Sequence, residues 1–173
     1  MNIVKMWSRW AGQDPHPASH VEKLLSAIGA FLGILGVLII SHGVLGGQGT
    51  ALVVTSMGAS AVLLFAAPHS PLSQPWPVLG GHILSSAIGI TCVLLIHDTL
   101  TAAAVAVALS ITAMYYLRCL HPPGGAAALA VVMGGETVHA LGYAYLVVPL
   151  LLNVMVLLSV AMLFNAPFQH RRY

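Results

Sequence analysis

Long apolar blocks dominate the distribution of hydrophobic and polar residues along this chain. Four blocks contain no Asp, Glu, Lys or Arg, and they cover residues 24–45, 78–96, 100–117 and 143–164. A helix rises about 1.5 Å per residue, so each block is long enough, or nearly so, to cross roughly 30 Å of hydrocarbon. The pattern predicts transmembrane helices with lipid as their solvent.

Two further apolar blocks are short or interrupted. Residues 50–67 contain Gly58 near their middle, and residues 126–133 are too few to span a bilayer alone. The pattern therefore predicts an all-α, polytopic transmembrane bundle of about six helical segments, two of them broken or short. Six crossings result if both short segments cross the membrane, and four if they are re-entrant.

A weak internal repeat relates the two halves. The stretch Gly58-Ala59-Ser60-Ala61-Val62 resembles Gly125-Ala126-Ala127-Ala128-Leu129. Three segments per half would give a 3+3 inverted repeat, the usual plan of transporters. Small-residue matches also arise by chance in membrane proteins, so both interpretations stay open.

Composition supports a membrane class. The chain has 173 residues, of which 58% are hydrophobic and 6% charged, whereas soluble domains carry about a quarter charged residues. The formal net charge of +2 is too small to suggest nucleic acid. We expect a polar N-terminal segment (1–22), one transmembrane domain (23–165) and a basic tail (166–173). Cys92 and Cys119 lack metal-type spacing and are predicted to be packing thiols.

Basic residues set the expected orientation. They flank the first and the last apolar block, and they are Lys5, Arg9, Lys23, Arg171 and Arg172. Because Lys and Arg collect on cytoplasmic flanks, both termini are expected in the cytoplasm, with the protein in the plasma (inner) membrane.

The first candidate site is a break in the chain after residue 117. Proline suits the first turn of a helix and pushes the preceding residue out of the α region, so a helix should restart near Pro123. Two glycines leave N–H groups uncovered, and a helix N-terminus in a membrane cavity suits a small anion. The candidate residues are Arg118, His121, Pro122, Pro123, Gly124 and Gly125. A plain loop before a proline-initiated helix is the alternative.

The second candidate site is the interruption of the second apolar block. Hydroxyls and freed N–H groups there are expected to bind a desolvated anion from the other side. The candidate residues are Ser56, Gly58, Ala59 and Ser60. The alternative is ordinary helix packing, for which Ser, Gly and Ala are common in membranes.

Catalytic motifs are absent from the sequence. No Ser-His-Asp arrangement, phosphate-binding Gly-rich loop or His-Glu-x-x-His stands in it, and the whole chain has four carboxylates. We therefore expect a non-enzyme without a cofactor. Two other classes stay open: a membrane scaffold or sensor subunit, and a metal-handling protein that uses His16, His20 and His121, with Asp14 nearby.

At His121-Pro122-Pro123-Gly124-Gly125-Ala126 the sequence resembles the HPP family of small integral membrane proteins. Further similarity lies in the stretch from Gly58 to Phe65, in the prolines and serines of 68–75 and in Gly80-Gly81-His82. The family is described with four membrane spans, and members in plastids and cyanobacteria are associated with nitrite transport. The resemblance thus implies movement of a small inorganic anion.

Together these observations predict passive or proton-linked transport of a small monovalent anion, with nitrite as the first candidate. The anion would lie between the chain breaks at 58–60 and 121–125. Partners are expected to be the anion, the lipid bilayer and further copies of the chain. A homo-oligomer is expected because Gly29, Gly33 and Gly36 permit close helix contacts.

Overall fold

A computed structural model describes residues 18–171 and 173, and within 44–53 it describes the backbone alone. These residues form helices and turns without a β-strand. The α-helices are α1 (His20–Ala66), α2 (Pro75–Leu95), α3 (Thr99–Tyr116), α4 (Pro122–Val132), α5 (Gly135–His139) and α6 (Leu152–Asn165). Turns of 3₁₀ type cover Pro71–Ser73, Gly142–Leu146 and Gln169–Arg171, and a π turn covers Val147–Leu151.

Helix α1 folds back on itself. Its 47 residues would extend about 70 Å if straight, yet the hydroxyl of Ser26 donates to the carbonyl of Phe65 at 2.6 Å. Its two apolar halves, His20–Gly43 and Val54–Ala66, therefore lie side by side. The element therefore supplies the first and second segments of the bundle.

The chain makes six passes of alternating direction in the described part of the molecule. The Ser73 hydroxyl donates to the Leu63 carbonyl and so links the segment before α2 to the end of α1. The Trp76 indole N–H donates to the Leu117 carbonyl, so the start of α2 lies beside the end of α3. Asn165 donates to Leu64, so the last pass ends beside the end of α1. The passes are listed in chain order: His20–Gly43, Val54–Ala66, Pro75–Leu95, Thr99–Tyr116, Pro122–Val132 and Gly142–Asn165.

Four of these passes are long and apolar enough to cross a membrane, and two, Val54–Ala66 and Pro123–Val132, are shorter. The predicted helical membrane bundle with two short segments is confirmed. The first halves of α1 and α6 also meet inside the bundle, where the amide of Asn153 donates to the Ser41 hydroxyl at 2.7 Å.

Glycines hold helices in close contact within the bundle. A Cβ on Gly124 of α4 would lie 2.8 Å from the Gly81 carbonyl oxygen of α2, and one on Gly89 would lie 2.9 Å from the Ala128 carbonyl oxygen. Gly29, Gly33 and Gly36, from which a homo-oligomer was expected, also lie at close contacts within this chain. A Cβ would lie 2.4 Å from the Phe65 ring at Gly29 and 2.8 Å from the Leu157 side chain at Gly33, and 3.0 Å from Val156 at Gly36. These three glycines thus serve contacts inside one chain.

Charged residues divide between the two ends of the bundle. Because the passes alternate in direction, the start of α1 and the end of α3 share one end of the bundle. This end carries Lys23, Arg118 and Arg171. Asp98 precedes α3, and Glu136 lies in α5 after α4, at the other end. Among the described residues, all Lys and Arg are therefore at one end.

Candidate functional site

A buried hydroxyl joins two buried imidazoles within the bundle. The Ser60 Oγ lies 2.8 Å from the His82 Nε2 and 2.8 Å from the His121 Nε2. The His121 Nδ1 lies 2.7 Å from the Leu72 carbonyl oxygen. The two imidazole centroids are 5.1 Å apart, and all three side chains are fully buried. Ser60, His82 and His121 are called the relay below.

Hydrogen-bond chemistry fixes the direction of each bond in the neutral relay. A carbonyl oxygen only accepts, so the His121 Nδ1 must carry the proton and its Nε2 must accept. The Ser60 hydroxyl then donates to the His121 Nε2 and accepts from the His82 Nε2–H. This assignment leaves the His82 Nδ1 as a bare acceptor, and it has no partner among the described side chains. The relay therefore has one open position for a further proton.

Each relay residue comes from a different pass. Ser60 lies in the second half of α1 and His82 in α2, while His121 is the residue before α4. His121 has an extended backbone (φ −138°, ψ 103°) because the prolines that begin α4 exclude the helical conformation before them. The break brings the His121 Cβ close to Gly81, and a Cβ on that glycine would lie 2.7 Å from it.

Two further buried hydroxyls lie on α2 and α3. The hydroxyls of Ser86 on α2 and Ser110 on α3 are buried without a partner among the described side chains. Ser86 follows His82 by one helical turn. Buried polar atoms usually bind protein groups, water or a ligand. The interior around α2 therefore has unused hydrogen-bonding capacity.

The structure brings together one residue from each predicted site, Ser60 and His121. Ser56 is also buried, whereas Ala59 is exposed. The predicted chain break at Gly58 is wrong, because Val54–Ala66 is continuous helix. A single glycine costs a helix only about 1 kcal/mol, so Gly58 does not interrupt it. Its N–H is thus part of a helix rather than of an anion site.

The start of α4 offers fewer free donors than the sequence suggested. Pro122 and Pro123 have no N–H, and the Gly124 N–H donates to the His121 carbonyl at 2.8 Å. The prediction that the glycines leave N–H groups uncovered is therefore wrong for Gly124. Pro123 and Gly124 are buried, Gly125 is half-buried and Pro122 is exposed. Gly124 serves the contact with α2 instead.

Arg118 is exposed and ends helix α3. Its φ of 53° lies in the left-handed region. Its N–H donates to the Tyr115 carbonyl, and the Cys119 N–H donates to the Met114 carbonyl. This pair of bonds is the Schellman motif, in which the position of Arg118 is usually glycine. The structure therefore gives Arg118 a role in helix termination.

Sequence reasoning did not single out His82 as a site residue. It lies well inside α2 and is fully buried. Ionisable residues inside membrane helices are rare and mark functional sites by default. That signal was present in the sequence, since His82 follows Gly80-Gly81 at the start of an otherwise apolar block.

Metal ligands do not converge in the described part of the chain. It contains no group of three or more His, Cys, Asp or Glu placed to hold a metal ion. Of the proposed metal residues, Asp14 and His16 lie outside the described residues and His20 is exposed. Cys92 and Cys119 are buried free thiols.

Known proteins are similar to this chain over almost its full length. Two transmembrane proteins of Dictyostelium discoideum are similar: one is 35% identical over 99% of this chain and 57% of its own length, the other 34% identical over 100% of this chain and 63% of its own length. The chain thus spans less than two thirds of either relative. No solved structure matches. The sequence model of the family described as HPP, transmembrane region, matches residues 15–173, so the chain belongs to that family of membrane proteins.

Proposed function

We propose that this protein moves a small monovalent anion, with nitrite as the first candidate, across a membrane together with a proton. The observation that carries the proposal is the relay, because it joins two imidazoles through one hydroxyl in the interior of an apolar bundle. Histidine side chains in the interior of membrane proteins take part in proton relays.

Proton uptake at the relay favours an accompanying anion. A proton on the free His82 Nδ1 would create an imidazolium that is completely buried. An isolated buried charge is costly, and a partner of opposite charge offsets part of that cost. An anion that entered without the proton would meet the same cost of burying a charge, because Arg118 is exposed and supplies no buried positive charge beside the relay. Each species therefore promotes binding of the other.

The choice of nitrite comes from the family. The HPP motif implies it by resemblance, whereas the relay itself selects by charge and hydrogen bonding. A small anion with acceptor oxygens could bind the donor on His82 and the hydroxyl of Ser86, one turn further along α2. A divalent anion would leave one negative charge uncompensated at a site with a single added proton.

The charge distribution supports one orientation. Lys23, Arg118 and Arg171 share an end of the bundle with both described chain ends. Cytoplasmic flanks collect Lys and Arg. We therefore place this end in the cytoplasm of the cell, with the Asp98 end on the opposite side of the plasma membrane.

Flux into proteoliposomes tests the proposal. Purified protein is reconstituted, and uptake of nitrite, nitrate, chloride and formate is followed with and without an imposed proton gradient. We expect saturable nitrite uptake that the gradient accelerates, and its loss in His82→Gln and His121→Gln. The control is His20→Gln, which changes an exposed histidine. Folded, inserted protein with no flux for any anion would refute transport and favour a scaffold or sensor subunit.

A further inference from the structure

The hydrogen-bond chain of the relay ends at a backbone carbonyl in a surface turn. The His121 Nδ1 donates to the Leu72 carbonyl oxygen at 2.7 Å. Leu72 is half-buried in the 3₁₀ turn Pro71–Ser73, within the segment that links the end of α1 to the start of α2. This segment, residues 68–74, is called the cap loop below. It covers the buried His121 at the end of the bundle where α1 begins.

A carbonyl at this position stops the movement of a proton along the relay. The Ser60 hydroxyl can accept one proton while it gives up another, and an imidazole can do the same with its two nitrogens. The Leu72 carbonyl oxygen only accepts a hydrogen bond and has no proton of its own to pass on. A proton on the His121 Nδ1 can therefore leave toward this end only after its bond to Leu72 breaks and water takes the place of the carbonyl.

Side-chain hydrogen bonds hold the Leu72 carbonyl in place. The hydroxyl of Ser73, which is fully buried, lies 2.8 Å from the Ala67 carbonyl oxygen and 3.2 Å from the Leu63 carbonyl oxygen. On the other side of Leu72, the Ser70 hydroxyl accepts from the Leu72 N–H at 3.2 Å. Leu72 is thus held between a neighbour anchored to the end of α1 and a serine that caps its N–H.

Gln74 closes the cap loop on itself. Its side-chain amide nitrogen donates to the Pro68 carbonyl and to the Ser70 carbonyl, both at 3.2 Å. An amide nitrogen carries two protons, so one side chain can satisfy both carbonyls. Neither Gln74 nor Ser73 has a hydrogen bond to the relay in the described part of the chain. Each therefore acts on His121 through the Leu72 carbonyl.

We propose that the cap loop is the gate through which the relay releases a proton, and that Ser73 and Gln74 are positioning residues that hold it closed. In the closed arrangement the Leu72 carbonyl keeps the proton on the His121 Nδ1. Displacement of the turn exposes that N–H to water. The direction of release rests on the proposed function, whereas the position of the gate rests on the geometry of the cap loop.

The proton balance of one passage follows from the bonds of the relay. A proton that binds the His82 Nδ1 lets the His82 Nε2 give its proton to Ser60, and Ser60 gives its own to the His121 Nε2. His121 is then an imidazolium. Water takes the Nδ1 proton once the cap loop has moved, and the ring is neutral again.

Solvent exchange of the His121 N–H tests the gate without requiring transport. Ser73→Ala removes the buried hydroxyl, and Gln74→Leu removes both amide donors at similar side-chain size. The exchange rate of the Nδ1 proton with water is measured by nitrogen-15 NMR of histidine-labelled protein in detergent, with the signal assigned by His121→Gln. We expect the rate to rise about tenfold in each variant, which corresponds to a closed arrangement destabilised by about 1.4 kcal/mol, the scale of one hydrogen bond.

Thr112→Val is the matched control. It removes a hydroxyl that donates to the Ala108 carbonyl at 3.0 Å within α3, so it loses the same kind of bond away from the cap loop, and the His121 exchange rate should stay unchanged. If Ser73→Ala does not fold, Gln74→Leu carries the test, because Gln74 is only half-buried.

The result separates the gate from the proposed function. Faster exchange in the cap-loop variants alone supports the gate, whether or not the protein carries flux. An unchanged exchange rate in folded Gln74→Leu and Ser73→Ala, even with a lower unfolding temperature, would overturn the gate and leave both residues a structural role only. Absent flux together with faster exchange would refute transport and still support the gate.

Discussion

Arg171, in the turn after the last helix, is completely buried and forms an ion pair with Glu22 in the first turn of α1. Its guanidinium also donates to the Asn165 side chain at 2.9 Å and to the Phe65 carbonyl. One side chain thus joins the start of the first pass, the end of the second and the end of the last. The sequence suggested a basic tail, but this arginine is part of the interior.

We expect Arg171→Ala to destabilise the bundle by about 1–3 kcal/mol, the usual cost of leaving buried hydrogen-bond acceptors without their donor, because the Glu22 carboxylate is half-exposed and water can solvate it once the arginine is removed. The carbonyl of Phe65 and the amide oxygen of Asn165 would lose their donor as well. Thermal unfolding in detergent measures the change. Arg118→Ala is the matched control, since Arg118 is exposed and surface substitutions usually change stability by less than about 0.5 kcal/mol. Equal unfolding temperatures for the two variants would contradict a structural role for Arg171.

Arg118→Gly should stabilise the protein. A left-handed conformation costs a residue with a side chain about 1–2 kcal/mol, and glycine avoids that cost. Part of the gain is lost because glycine is more flexible in the unfolded chain, so a net gain of up to about 1 kcal/mol is expected. The same variant shows whether the Arg118 charge supports flux. Unchanged or lower stability would indicate that the arginine side chain makes contacts that outweigh its backbone strain.

Adjacent glycines in α4 should respond oppositely to alanine. A Cβ on Gly124 would lie 2.8 Å from the Gly81 carbonyl oxygen and 2.9 Å from the Ser85 hydroxyl, so Gly124→Ala should cost about 1–3 kcal/mol through overpacking. The nearest atom to a Cβ on Gly125 is 4.0 Å away. Gly125→Ala should therefore gain up to about 1 kcal/mol from helix propensity. The thermal unfolding midpoints of the two variants, measured side by side, test this difference in stability. Similar decreases in midpoint at both positions would contradict the packing described for Gly124 and Gly125.

Local chemistry made some of these features predictable and left others hidden. The break at His121 follows from the two prolines alone, and the membrane class follows from the uncharged blocks. The contact between Ser60 and His121 joins residues 61 positions apart, and no local rule encodes such a contact. The predicted break at Gly58 is wrong because one glycine costs a helix only about 1 kcal/mol. The burial of Arg171 depends on Glu22 and Phe65, which no pattern in the tail reveals.

The relay predicts opposite tautomers for two buried histidines. His121 should carry its proton on Nδ1, held by the Leu72 carbonyl, and His82 on Nε2, donated to Ser60. Nitrogen-15 NMR of histidine-labelled protein distinguishes the protonated from the bare nitrogen in each ring, and His82→Gln and His121→Gln assign the signals. Ser60→Ala removes the shared hydroxyl, so the His82 signal should lose its single tautomer while the carbonyl keeps that of His121. It should also reduce proton-driven flux, because no group then connects the two rings. The same tautomer on both histidines in the unaltered protein would break the directional chain from His82 to Leu72, and with it the argument that His82 is the position where the proton enters.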